Sequence, residues 1–129
     1  MQVKKFTFSK KERLCRKKYI QELFEDGSSF FLHPFKVHYH VHKNTDIDNI
    51  QILVSVPKKF YKKAIDRNLI KRRIREVYRL NKHILNDISN NKLFIAYIYV
   101  GREILPYNEM LQKLKQALFR LKKEVDVRN

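Results

Sequence analysis

Hydrophobic and polar positions alternate with a period of two over residues 35–42. Phe35, Val37, Tyr39 and Val41 point one way, and Lys36, His38, His40 and His42 point the other. That alternation predicts a strand with one core face and one polar, potentially cationic face. The polar, acidic segment Asn44 to Asn49 reads as a hairpin loop. It leads to a second strand over Ile50 to Val56, with Ile50, Ile52, Val54 and Val56 on one face. Pro57 ends that strand because it has no N–H for the ladder. Leu93 to Val100 (LFIAYIYV) is apolar on both faces and rich in β-branched and aromatic residues. It predicts a central strand covered on two sides.

The remaining apolar positions recur at helical spacing. Ser9 and Glu12 have the spacing of a capping box for a first helix. Leu14, Ile20, Leu23 and Phe24 supply its apolar side, and Gly27 suits a left-handed position just past its end. In PKKFYKKAIDRNLIKRRIREVYRLNKHILNDI the second half is strongly helical. Its buried stripe is Ile70, Ile74, Val77, Ile84, Leu85 and Ile88, and Asn90 and Asn91 close it. A last helix over Asn108 to Lys123 places Leu111, Leu114, Leu118 and Leu121 on one face. The order is α-β-β-(short strand or loop)-α-β-α, which argues for an α+β fold with helices packed on a small sheet.

Composition sharpens this picture. A length of 129 residues fits one domain, and two glycines and three prolines leave no flexible linker. Lys plus Arg is 29 and Asp plus Glu is 13, so the net charge is 29 − 13 = +16. A compact fold with that excess repels itself unless a polyanion neutralises it. Nucleic acid and an anionic membrane surface are the two candidates. The single Cys15 excludes an internal disulfide and reads as a buried or inert thiol. The basic N-terminus lacks the apolar stretch of a signal peptide, and no run reaches the roughly 18 apolar residues of a membrane span. A cytoplasmic location is the expectation.

The charge is not spread evenly. Between Arg67 and Lys82 the chain carries Arg67, Lys71, Arg72, Arg75, Arg79 and Lys82, mostly opposite the apolar stripe, with Glu76 as the only acid. A solvated helix face normally interleaves both signs. A cationic stripe can follow the phosphates of an RNA strand, with arginine forks binding oxygens in pairs. Asn68 within the run can fix a loop, cap a turn or read a base edge.

Other readings compete. His38-x-His40-x-His42 sets three imidazoles on one strand face, about 6 to 7 Å apart at each step. That is a conceivable zinc site, but no acidic partner in the segment completes it, and no metal is expected. Ordinary surface polarity or RNA stacking fits them better. A membrane-surface helix would need exposed aromatics beside its basic face. Here the apolar face is spent on the core.

The residues from Lys62 to Tyr78, KKAIDRNLIKRRIREVY, resemble the protein component of bacterial ribonuclease P. Ala64, Ile65, Arg67, Asn68, Lys71, Arg72 and Arg75 fit the family pattern A-V-x-R-N-R-x-K-R-x-x-R. Ser55, Val56, Lys58 and Lys59 are similar to the strand end V-S-x-K-K. Lys10, Arg13, Leu14, Phe24 and Gly27 resemble the family's start, and Val100 to Arg102 and the closing LKQALFRL fit its end. The resemblance spans about residues 5–122 of a single RNA-binding domain over 1–129. Leu69 replaces the second Arg of R-N-R, so one RNA contact is lost there or moved to Arg73. The segment between Lys59 and Arg67 is one residue longer than usual and lacks the family's glycine.

The resemblance implies a two-layer α/β sandwich like ribosomal protein S5 domain 2. Its order is α-β-β-β-α-β-α, with a four-stranded sheet and a left-handed crossover at the basic helix. It implies a subunit of an endoribonuclease that removes the 5′ leader of precursor tRNA. A partner RNA holds the active site and its magnesium ions, and metal-bound water hydrolyses the phosphodiester to leave a 5′-phosphate. The protein itself would have no catalytic residue and no bound cofactor, and would join the RNA as a monomer in a one-to-one complex without a membrane. Lys58, Lys59, Arg67, Asn68, Lys71, Arg72, Arg75 and Arg79 would bind the catalytic RNA. Arg13, Ile20, Phe24, Lys36, His38, His40 and Arg102 would line the leader cleft, where Ile20 and His38 stand at positions usually aromatic. The alternative is a general RNA-binding or ribosomal protein with no part in tRNA processing.

Overall fold

The computed structural model describes residues 9–47, 49–86 and 92–128. Four strands form one sheet: β1 (Ser28–Leu32), β2 (Phe35–Val41), β3 (Gln51–Ser55) and β4 (Leu93–Tyr99). The helices are α1 (Lys17–Asp26), α2 (Ala64–Asn81) and α3 (Tyr107–Arg128), with 3-10 turns at Lys10–Glu12 and Lys82–Leu85. The chain order is therefore α-β-β-β-α-β-α, and the sheet order is β1-β2-β4-β3.

β4 lies between β2, its antiparallel neighbour, and β3, its parallel one. This corrects the hairpin expected at Asn44 to Asn49. The two strands flanking that segment do not pair, because β4 is inserted between them. The apolar character of β4 on both faces is the cause, since only a central position buries both. The hairpin instead joins β1 to β2, with Phe30 opposite Val37. The short strand therefore precedes β2 rather than following β3. The parallel step from β3 to β4 is made by α2, so the crossover sits at the basic helix.

The two faces of the sheet are covered unequally. Val37, Tyr39, Ile52, Ile95 and Tyr97 pack with Ile70, Ile74 and Val77 of α2 and with Leu114, Leu118 and Leu121 of α3. Burial of side chains of this size contributes about 1.5–3 kcal/mol each against exposure. Leu111 is only partly buried at the rim of this core. On the other face, Phe94 and Ala96 meet Leu14, Tyr19 and Leu23. α1 lies across that face and leaves part of it open. Ile88, Asn90 and Asn91 lie outside the described residues.

Local features of the entry segment differ from expectation. The Ser9 N–H donates to the Glu12 carboxylate (3.2 Å), but this pair holds a single 3-10 turn, not the start of the helix. The Leu14 N–H bonds the Ile52 carbonyl (2.8 Å) and draws Arg13 and Leu14 alongside β3, so α1 begins only at Lys17. Cys15 is exposed, not buried. Gly27 is extended (φ −86°), not left-handed. It is required by space: a methyl there would lie 2.5 Å from the Tyr39 carbonyl oxygen and collide with that of Leu23.

Candidate nucleic-acid interface

α2 is amphipathic because Ile70, Ile74, Val77 and Tyr78 recur on one side and are buried. Its cations then divide by what they reach. Asn68, Arg72 and Arg75 are exposed and Lys71 is half-buried, and these four share one outward stripe. At 1.5 Å per residue the stripe runs about 10 Å along the axis.

The other cations of the helix serve the fold. Arg67 Nη1 donates to the carbonyls of Tyr61 and Lys62, 2.8 Å each, and closes the loop that enters the helix. Arg73 Nη1 donates to the Leu105 carbonyl (2.7 Å) on the segment before α3. Arg79 pairs with Glu76 at 2.7 Å, which holds the Glu76 carboxyl below its ordinary range. Lys82 pairs with Glu12. Leu69 is half-buried, and Arg73, one turn on, is held to Leu105.

Lys58 and Lys59 are exposed in the turn after β3. Phe60, which sequence reasoning passed over, organises this corner. Its ring carries the Arg102 guanidinium at 4.5 Å and the Lys59 ammonium at 5.1 Å. Such cation–π contacts fix long side chains at modest cost. Tyr61 donates its hydroxyl to the Gly101 carbonyl (2.7 Å) and ties the turn to the end of β4.

A second surface lies where α1 leaves the sheet open. Phe24 of α1 is 43% exposed, and its ring meets His38 edge-on at 4.7 Å. Lys36 is exposed two residues along on the same face, opposite Ile98. Ile20 packs against the small core under α1. His40 lies 2.9 Å from Glu22, which anchors it to α1. Phe31, 55% exposed and paired in register with Lys36, was not anticipated.

The structure therefore gathers Ile20, Phe24, Lys36, His38 and His40, whereas Arg13 stands at the β3 edge and Arg102 at Phe60.

The face expected to be cationic is less so than its pattern suggested. His42 is buried and stacks on Phe94 at 4.2 Å. Burial, then the nearby Lys36 charge, lowers the pKa of His38. The three histidines thus do three different things. Among the described residues, no group of three His, Cys, Asp or Glu side chains converges as a metal site would need. No described helix is long and apolar enough to cross a membrane.

Comparison with known proteins agrees with this geometry. The family model described as ribonuclease P matches residues 8–122. The ribonuclease P protein component of Petrotoga mobilis is 43% identical over 120 residues, covering 84% of this chain and 96% of that protein. That of Porphyromonas gingivalis W83 is 34% identical over 119 residues, covering 90% and 87%. Among solved structures, the Staphylococcus aureus RNase P protein superposes with a TM-score of 0.71 at 26% identity, covering 86% of this chain and 95% of that one. The Thermotoga maritima RNase P protein gives 0.69 at 26% identity, covering 84% and 96%. With its fold and its sequence matched over nearly the whole length, the chain belongs to the ribonuclease P protein family.

Proposed function

We propose that the outward stripe of α2, Asn68, Lys71, Arg72 and Arg75, together with Lys58 and Lys59, binds the catalytic RNA of ribonuclease P. The same protein then presents the open face beside α1 to the single-stranded 5′ leader of precursor tRNA. The observation that carries this reading is the sorting of cations on α2. Arg67, Arg73, Arg79 and Lys82 are engaged by protein oxygens, and the remaining cations line up outward with Asn68. Phosphate oxygens are the natural acceptors for such a row. Arg67 and Arg79 act from behind, holding the entry loop and the helix surface in shape.

The protein's part is binding and orientation. The hydrolytic chemistry belongs to the RNA and its magnesium ions, and no catalytic group is assigned to this chain. Phe24 and His38 offer a base an aromatic corner, and neutral His38 contributes stacking rather than charge. Lys36 at that corner meets a phosphate, and Arg102 on the Phe60 ring forms a second cationic point. This combination of aromatic platform and cationic groove is how single strands are held. The complex is taken as one protein to one RNA, working in the cytoplasm.

Reconstitution tests it. Adding the protein to the catalytic RNA at low magnesium should raise the rate of 5′-leader removal from precursor tRNA. An unchanged rate, with RNA binding retained, would leave only a general RNA-binding role.

A further inference from the structure

A concave site lies at the other end of α1, outside both surfaces described above. Its volume is about 400 Å³, within the range of small-ligand sites. Lys10, Lys11, Arg13 and Arg16 line it, against one acid among the described residues, Asp46. The basic excess has a structural cause. Glu12 is the only acid between Ser9 and Lys18, and its carboxylate is turned away to Lys82. Asn49 donates its Nδ2 to the Lys11 carbonyl (2.6 Å) and fixes the lysine-bearing turn against the site. Arg16 and Phe24 are separated by about 12 Å along α1, so the site is distinct from the Phe24–His38 corner.

We propose that this pocket binds a short segment of RNA backbone, with phosphates on Lys11 and Arg16 and a ribose hydroxyl or base amino group donating to Asp46. A pure polyanion leaves Asp46 facing like charge, whereas a ribonucleotide brings both the anion and the donor. The 2′-hydroxyl is such a donor. The inference rests on the reading of this subunit as RNA-binding. It adds a third RNA contact, tied to α2 through the Glu12–Lys82 pair.

Cys15 lines the pocket, is exposed and is the chain's only cysteine, so it reports occupancy directly. The test is the rate of Cys15 alkylation in the full chain, with and without a single-stranded oligouridylate of about ten nucleotides, a length within single-strand site sizes. By mass action, oligonucleotide at tenfold its dissociation constant should slow alkylation roughly tenfold. The double variant Lys11→Glu/Arg16→Glu, with its fold checked by thermal melting, should lose that protection. A thiol moved to α3 (Cys15→Ser/Lys122→Cys) should not be protected.

Unchanged Cys15 alkylation in the presence of oligouridylate would overturn the proposal. So would equal protection of the α3 thiol, or protection by polyglutamate as strong as that by RNA, which would assign the pocket to acidic peptide. Should Arg72→Ala still weaken binding of the catalytic RNA while Cys15 stays unprotected, the pocket alone fails and the interface on α2 stands.

Discussion

Glu12 and Lys82 meet across 70 positions of sequence: both carboxylate oxygens lie 2.9 Å from the lysine Nζ. Each side chain is less than a fifth exposed. Lys82 follows the last residue of α2, and Glu12 closes the turn that leads into α1. The pair therefore sets the basic helix and the entry segment at one spacing, and an RNA that touches both meets a preformed surface. Removing one partner leaves the other charge half-buried, at a cost between that of surface and fully buried pairs. Lys82→Met should lower stability by about 1–2 kcal/mol, read by urea unfolding. Adding Glu12→Gln to it should cost little more, because the two changes remove one interaction. Additive losses would mean that the two side chains act independently.

The division of the α2 arginines separates binding from folding. Arg72→Ala and Arg75→Ala should each weaken binding of the catalytic RNA and flatten the log–log salt dependence by roughly one unit, as one phosphate contact is lost. Arg73→Ala should leave the salt slope unchanged. It should instead lower stability by about 1 kcal/mol, through loss of the hydrogen bond to the Leu105 carbonyl. A salt slope altered by Arg73→Ala, or untouched by Arg72→Ala, would reverse this assignment.

Much of this was legible in the sequence. Alternation at Phe35, Val37 and Tyr39, two-sided apolarity at β4 and the stripe Ile70–Ile74–Val77 each follow from the periods of strand and helix. What escaped were contacts between segments distant in sequence. A period of two sends His42 outward, but that outward face is where α1 packs, so His42 ends stacked on Phe94. The hairpin at Asn44 to Asn49 was a local inference, undone when β4, from beyond α2, took the place beside β2. Nothing in the spacing of Arg67, Arg73 and Arg75 tells which guanidinium reaches back to a carbonyl. Phe60 went unnoticed because its partner, Arg102, is forty-two positions away, and a lone aromatic in a turn carries no pattern.

Gly27 joins α1 to β1, and the space around it allows only hydrogen at Cα. Its φ of −86° is open to any residue, so the constraint is contact with the Leu23 and Tyr39 carbonyl oxygens. Gly27→Ala should force α1 away from β2 and cost about 1–3 kcal/mol or more, a drop of roughly 5–15 °C in Tm. Because Phe24 rides on the same turn, the variant should also weaken leader-dependent binding of precursor tRNA. An alanine variant melting with the native protein would show that the two segments separate without cost.

Acid should loosen the face under α1. Asn44 donates its backbone N–H to His42 Nδ1 (3.2 Å), so the ring proton sits on Nε2. Protonating Nδ1 breaks that bond and places a charge in a buried site. Burial lowers the His42 pKa first, then Lys92 and more weakly His40, while Glu22 and Asp46 oppose them. His38 is shifted the same way by burial and Lys36. Both folded pKa values lie below the ordinary 6.5, so between them and 6.5 the unfolded chain binds more protons than the folded one. The stabilisation is complete above about pH 6.5 and is lost as pH falls through the folded values. Melting followed from pH 7 to pH 5 should show Tm falling. His42→Asn, which keeps an acceptor for Asn44, and His38→Phe, which keeps a ring for Phe24, should each make the curve shallower. If the double variant loses stability over that range as steeply as the native chain, these two histidines are not its source.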